Sequence, residues 1–390
     1  MQAEGKEHHA GHHGPPPVAP LELFFDLVFV FVLSQITHLI EEDLTPEGIF
    51  RSLVLFVLLW SVWIAFAWVG NAHRAEDHDD GGIPRRLVII LAMALLISLG
   101  MILPESLSTL AGPAALLYAA LFILYVADYF IATAHDPAMR RAIIRVTAVQ
   151  AILPIAILIA AFFAMSTWGL VIVIAAMVIA YAIPAITRDQ DWQFSATHAD
   201  ERFSLLMLIV MGESLIAIGA GAADDPFGWL TIAAVVLGVI IVASLWWQYF
   251  DVVAHQGAVF LDRLPEHRRV TTSRVIYSYL HILLVIGVIL MALGLHAASA
   301  DPDHPIPPTQ AIFLPGGIAL FLATLAVIRY LMRGRIMWPL PVTALVILLV
   351  IPLARVVPAI VAELACVIIL VVLVAAREIY TRRGVIQRIH

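Results

Sequence analysis

The sequence predicts an all-α, polytopic transmembrane helical bundle of about twelve helices. Of its 390 residues, 62% are hydrophobic and only 13% are charged, whereas about 25% of residues are charged in an ordinary soluble domain. The mean hydropathy is +0.96, and the apolar residues form runs of about 20, the length a helix needs to cross the hydrocarbon core. This composition excludes a soluble globular enzyme.

Charged or Pro/Gly-rich segments separate the apolar runs and so delimit the predicted spans. The twelve predicted spans are residues 20–40, 48–69, 86–103, 110–133, 142–165, 167–187, 202–221, 228–254, 274–297, 309–331, 336–353 and 357–376.

The basic residues orient these spans. Of the 22 Lys and Arg, all but Arg51 and Arg355 lie near the termini or near the loops that follow even-numbered spans. Cytoplasmic loops are enriched in Lys and Arg, so we expect a multi-pass protein of the plasma membrane with both termini in the cytoplasm. The opposite loops carry acids, including Glu41, Asp224 and Asp301.

Four regions follow from this pattern. Residues 1–19 are predicted to be a disordered, His-rich cytoplasmic tail, because they contain no apolar core of a signal peptide. Residues 20–200 and 201–376 are predicted to form two parallel six-helix repeats, since each half opens with an acid-x-Phe motif. Residues 377–390 form a basic cytoplasmic tail. The alternative to a repeat is the general likeness of amphiphilic membrane helices.

Several segments resemble the bacterial low temperature requirement protein A family. They are LELFFDLVF at 21–29, HADERF at 198–203, GES at 212–214, and Tyr279-x-His281 followed by Gly287. The resemblance extends from about Pro20 almost to the end of the chain. It implies a bacterial multi-pass membrane protein. The family is named for a growth phenotype in the cold, and the resemblance implies no particular substrate or reaction.

Charged side chains within the spans are candidate functional residues, because an unpaired charge in a bilayer is costly. Glu22 and Asp26 lie one turn apart on the first span. Arg202, with Glu201 beside it and His198 one turn earlier, lies at the same predicted depth. We expect an ion pair between the two segments. It would form either an inner gate for an ion or a structural clamp.

Glu213 is the strongest single candidate for binding a proton or a cation. It lies about eleven residues into the seventh predicted span, near the predicted midplane, and Ser214 follows it. A carboxylate at that depth requires a proton, a cation or a partner. The alternative is a neutral acid that is hydrogen-bonded between helices.

Three further residues would extend a polar path across the membrane. His281 lies in the ninth span, and Asp128 and Asp251 lie toward the cytoplasmic ends of the fourth and eighth spans. Gln35 and His38 would continue the path toward the outside. Alternatively, His281 is a packing residue and Asp128 marks the membrane interface.

These residues favour a proton- or cation-linked secondary transporter or ion channel over an enzyme. The arrangement also resembles lysosomal-type potassium channels with a Phe-Ser-Asp motif, although Phe24-Phe25-Asp26 and Arg202-Phe203-Ser204 each match only part of that motif. The alternative is a membrane-embedded enzyme or a lipid-binding protein that affects the bilayer at low temperature. A pocket of tryptophans, such as Trp60, Trp63 and Trp68, would suit that alternative.

Other classes of partner and cofactor are not expected. The chain has one cysteine, a net charge of −7 and scattered arginines, which argues against disulfides and nucleic acid. No metalloprotease, P-loop or Rossmann motif occurs, so no cofactor or metal is predicted. A metal site built from His198 and His281 stays a minority alternative. The expected partners are the lipid bilayer and a small ion or small-molecule substrate, and a homodimer stays open.

Overall fold

The computed structural model describes residues 18–75, 82–134, 136–163, 166–186, 194–223, 228–254 and 256–386. Nearly all of the predicted His-rich tail therefore lies outside the described residues. The described part is helical and contains no strand, which confirms the all-α class.

The α-helical segments, in chain order, are α1 (Pro20–Glu42), α2 (Pro46–Ala75), α3 (Gly82–Met101), α4 (Ala111–Ala132), α5 (Pro137–Gln150), α6 (Ile152–Phe162), α7 (Thr167–Ile186), α8 (Ala196–Ala223), α9 (Trp229–Tyr249), α10 (Gly257–Asp262), α11 (Glu266–Ser273), α12 (His281–Ala300), α13 (Phe313–Arg333), α14 (Pro339–Leu348), α15 (Val350–Ala354) and α16 (Ala359–Ile386). Two π-helical segments, Phe250–Ala254 and Arg274–Leu280, follow α9 and precede α12.

The predicted polytopic bundle is confirmed. Within the described ranges, ten helices are long and apolar enough to cross a membrane. Two shorter apolar stretches, Thr167–Ile183 and Pro339–Ala354, coincide with the sixth and eleventh predicted spans. The fifth predicted span is divided between α5 and α6. Each predicted span therefore corresponds to one apolar helix or to consecutive helical segments.

The predicted domain boundaries fall within helices. Because α8 begins at Ala196, the predicted boundary at residue 200 lies in its first turns. The helix α16 continues to Ile386 and so includes most of the predicted basic tail. The two six-helix repeats stay a prediction.

Contacts between helix ends define two ends of the bundle. At the basic end, Arg85 at the start of α3 contacts Glu22 at the start of α1, and Asn71 of α2 exchanges two hydrogen bonds with the Ser195 backbone. At the acidic end, Glu41 of α1 contacts His296 of α12. The cytoplasmic location of the basic end stays a prediction.

The helices α12 and α13 pack closely because glycines line their interface. A Cβ at Gly294 would clash with the Leu314 backbone, and one at Gly317 would clash with the backbone of Met291 and Gly287. Gly287 itself lies against the Gly317 carbonyl. Small residues let membrane helices approach closely, so that van der Waals contact replaces the missing hydrophobic force.

We predict that Gly294→Ala destabilises the protein by about 1–3 kcal/mol, because the added methyl group overpacks the contact between α12 and α13. Gly219→Ala on α8 is the matched control, since a Cβ there meets nothing within 4 Å. The measurement is the thermal midpoint of the purified protein by size-exclusion chromatography. Equal midpoints for the two variants would contradict the close packing.

Candidate functional site

A buried ionic cluster joins four helices at the basic end. Its centre is Glu22 of α1, whose exposed fraction is 1%. Oε1 of Glu22 lies 3.0 Å from Arg85 Nη2 and 3.6 Å from Arg202 Nη1. Oε2 lies 3.0 Å from His198 Nε2. A carboxylate only accepts hydrogen bonds, so Nε2 of His198 carries the hydrogen when Glu22 is ionised.

Asp26 forms the second half of the cluster. Its Oδ1 accepts hydrogen bonds from Trp63 Nε1 at 2.8 Å and from Arg202 Nη2 at 3.2 Å. The guanidinium of Arg202 also lies 5.7 Å from the Trp63 ring centroid and donates to the Phe66 carbonyl. Arg202 therefore connects α8 with α1 and α2 through an ion pair, a cation–π contact and a backbone hydrogen bond.

Asp128 of α4 extends the cluster through Arg85. Its Oδ1 lies 3.6 Å from Arg85 Nε, and both side chains are buried. Within these residues, three carboxylates face two guanidiniums. One proton, on His198 or on a carboxyl, would make the cluster formally neutral.

The local sequence explains how these groups meet. Glu22 and Asp26 are four residues apart on α1, and His198 and Arg202 are four apart on α8, so each pair projects from one helix face. Gly70 lets the backbone of α2 lie against the cluster, because a Cβ at this position would clash with Glu22 and lie 2.7 Å from Arg202 Nη1.

A second group of buried polar residues adjoins the cluster. The Tyr277 hydroxyl donates to Asp200 Oδ1 at 2.7 Å. Nδ1 of His281 lies 2.8 Å from the Ile276 carbonyl, and its Nε2 lies 2.9 Å from the Tyr249 hydroxyl. A carbonyl only accepts, so Nδ1 donates and, in the neutral ring, Nε2 accepts from Tyr249.

Phe203 separates the two polar groups. Its ring centroid lies 5.0 Å from that of Trp63, 4.8 Å from that of Tyr277 and 5.0 Å from that of His281. The two groups thus share an aromatic wall.

Both π-helical segments lie at this second group. Tyr249 immediately precedes Phe250–Ala254, and Tyr277 lies within Arg274–Leu280. The second segment also presents Ser278, whose carbonyl accepts from Trp60 Nε1 at 3.0 Å and whose hydroxyl accepts from Trp68 Nε1 at 2.9 Å. Widened turns of this kind occur frequently at functional sites.

Glu213 lies in a separate crevice between α1, α8 and α12. The crevice has an accessible volume of about 10 Å³, room for about one water molecule or small ion, and its lining residues include Thr37, Ser214 and Ile289. Glu213 is half-buried, about two-thirds of the way along α8. Ser214 is fully buried, and its Oγ has no hydrogen-bond partner among the described residues.

A wider crevice opens beside it at the acidic end. Its volume is about 890 Å³, and its lining includes Glu41, His296 and Asp301. Nδ1 of His296 lies 3.0 Å from Glu41 Oε1. In the adjacent loop, the Asp301 and Asp303 carboxylates raise the pKa of His304 above its ordinary value, because they stabilise the charged imidazolium.

The remaining predicted residues lie apart from these contacts. Glu201 is half-buried, whereas Asp251 is exposed on the first π-helical segment. Gln35 is half-buried and His38 is exposed near Glu41 and Glu42. Both ring nitrogens of His281 are occupied, which argues against the metal site with His198. Asp301, Asp303 and His304 are the one group spaced for a metal among the described residues, and they are exposed.

Three contributions were not predicted from the sequence. The predicted third span begins at residue 86 and leaves Arg85 in a basic loop, whereas α3 begins at Gly82 and buries Arg85. The partnership of Asp200 with Tyr277 spans 77 residues and has no local signal. Glu363 of α16 is buried, and neither carboxyl oxygen has a hydrogen-bond partner among the described residues. The sequence signal that could have identified Glu363 is the presence of an acid within the twelfth predicted span.

The sequence of this chain matches a known protein family. The family model described as "Bacterial low temperature requirement A protein (LtrA)" matches residues 17–375, a range that includes the cluster and all three crevice-lining helices. A protein of Rhizobium meliloti (strain 1021), described as "Uncharacterized protein RA0937", is 28% identical over 318 residues, which cover 77% of this chain and 74% of the relative. No solved structure matches.

We predict that Arg85→Gln destabilises the protein by about 3–5 kcal/mol, because it leaves Glu22 and Asp128 as buried charges without a cationic partner on α3. Arg86→Gln is the matched control. Arg86 is the adjacent residue and is exposed, so its substitution should change stability by less than about 0.5 kcal/mol. Thermal unfolding of both purified variants checks the difference. Similar midpoints would show that Arg85 is not needed to balance the cluster.

Proposed function

This chain belongs to the bacterial low temperature requirement A family, and we propose that it carries a proton or another small cation across the membrane, as a secondary transporter or an ion channel. Glu213 is the binding carboxylate in this proposal. Glu22, Asp26, His198 and Arg202 form the inner gate, and the basic end faces the cytoplasm.

The observation that carries the proposal is the placement of carboxylates at three levels along α1, α8 and α12. Glu22 and Asp26 lie at the basic end, Glu213 lies further along α8, and Glu41 lies at the acidic end. Crevices reach each level. One of about 690 Å³ between α1 and α3 reaches Glu22 and Arg85, and the crevices of Glu213 and Glu41 lie successively along α1 and α12. Acidic residues within membrane helices commonly mark ion or proton pathways.

The chemistry of the middle level suits reversible binding. Glu213 shares its crevice with the Ser214 side chain and with apolar residues such as Val30 and Val288. A charged carboxylate in these surroundings gains stability by taking up a proton or a cation. The unpartnered Ser214 hydroxyl and the Thr37 hydroxyl supply oxygen ligands of the kind that small cations accept.

An apolar segment separates Glu213 from the inner cluster. The eleven residues from Arg202 to Glu213 correspond to roughly 16 Å along α8 at the α-helical rise. The side chains of Leu206 and Met207 in this interval are fully buried. In this conformation an ion bound at Glu213 is sealed from the basic end, so transport requires α1 or α8 to move.

The inner cluster is suited to controlling that movement. Arg202 holds α8 to both Glu22 and Asp26 of α1. A proton arriving at Asp26 or Glu22 would weaken this attraction and favour separation of the two helices. The same contacts would serve a purely structural clamp, and the two roles differ in whether flux depends on the cluster's charge.

We predict that Glu213→Gln lowers cation flux at least about tenfold, because the amide cannot exchange a proton or supply a negative charge. The measurement is flux in proteoliposomes under imposed pH and potassium gradients, with a pH-sensitive dye inside the vesicles. Glu105→Gln, at an exposed acid in the loop after α3, is the matched control and should keep wild-type flux.

Chromatographic homogeneity of each variant shows that it is folded, and Ser214→Ala provides a milder change in the same crevice. Wild-type protein that conducts under neither gradient would overturn the transport proposal. Equal flux in wild type and Glu213→Gln would remove Glu213 from the pathway.

A further inference from the structure

A fourth crevice lies between α2, α4, α5, α6, α7 and the second π-helical segment. About 90 Å³ of it is open to the centre of a water-sized molecule, several times the space that one water needs. It is separate from the three levels on α1, α8 and α12, and no residue that lines it belongs to those helices.

Tyrosines form much of its wall. Five of the nine tyrosines in the chain line this crevice, and they are Tyr118, Tyr125, Tyr129, Tyr181 and Tyr279. Neighbouring groups hold several of their hydroxyls in place. Tyr118 pairs with Ser61 at 2.7 Å, Tyr279 donates to the Tyr181 carbonyl at 2.9 Å, and Tyr125 donates to Gln150. The crevice thus presents fixed aromatic surfaces with polar edges.

Arg274 gives the crevice its charge. It is the only charged residue among those that line it, and its exposed fraction is 9%. Its guanidinium lies 5.9 Å from the ring centroid of Trp68, another lining residue. A guanidinium has five N–H donors, so Arg274 can keep contacts within the protein and still donate to a carboxylate, sulfonate or phosphate in the crevice.

The apolar part of the wall is suited to the rest of such a ligand. Leu121, Phe122 and Leu153 line the crevice together with Val62 and Ile64. Aromatic and aliphatic walls with a few convergent polar groups are the common pattern of sites for small organic ligands.

We propose that this crevice binds an amphiphilic organic anion, with its acidic group at Arg274 and its apolar or aromatic body between the tyrosines, Phe122 and Leu121. The ligand is either a single-chain lipid acid or a compact aromatic acid, because both combine one anionic group with an apolar body. This binding is independent of cation transport through Glu213.

The test is equilibrium binding of two radiolabelled probes, oleate and 2-naphthoate, to the detergent-purified full chain. We expect saturable binding of at least one probe, and the preferred probe shows whether the ligand is lipid-like or compact. Arg274→Gln should weaken that binding at least about tenfold, as expected for loss of a charge-assisted hydrogen bond. Arg274→Lys should retain part of it.

Two further variants distinguish a loss of ligand binding from misfolding caused by the substitution at Arg274. Val146→Trp places a large ring at a half-buried lining position and should abolish binding by filling the crevice. Arg335→Gln removes an exposed arginine elsewhere and should leave binding unchanged. Absence of saturable binding, or equal affinity in wild type, Arg274→Gln and Val146→Trp, would overturn the proposal.

Discussion

The cost of burying charge in an apolar bundle governs how this protein is put together at its basic end. Glu22 is buried there among Arg85 of α3 and Arg202 and His198 of α8, and these partners offset the cost of burying its charge. Satisfying one carboxylate therefore holds α1, α3 and α8 together. Gly70 lets α2 close over the same cluster. The helices at this end are positioned by electrostatics as well as by packing.

The same constraint acts differently at the middle of α8. Glu213 has apolar residues and two hydroxyl-bearing side chains around its crevice, where Glu22 has cations. A carboxyl in such a place is stabilised by whatever charge it can capture, which is why the contrast between the two sites supports ion binding at Glu213 and gating at the cluster. Fully buried apolar residues such as Leu206 and Met207 lie between the two levels.

Aromatic residues serve two separate structures. Trp60, Trp63 and Phe203 pack against one another in the buried core. The two tryptophans also satisfy buried acceptors, since Trp63 donates to Asp26 and Trp60 to the Ser278 carbonyl. Trp68 and the five tyrosines line the fourth crevice. The second π-helical segment links these structures, because Ser278 contacts Trp60 and Trp68 together. A ligand in the crevice and a change in the central core would therefore act on the same short segment.

Apolar run length and the alternation of basic loops are local properties, so they sufficed to establish the fold class and all twelve apolar segments. Four-residue spacing likewise placed Glu22 with Asp26 and His198 with Arg202 on single faces. Which faces meet is a different matter, because it depends on contacts between residues distant in the chain. Arg85 has the sequence signature of a basic loop that orients a membrane protein, but it is buried because α3 begins at Gly82. The pairing of Asp200 with Tyr277, the occupied ring of His281 and the gathering of five tyrosines were decided only by tertiary packing, since no local pattern specifies the partner of a buried polar group.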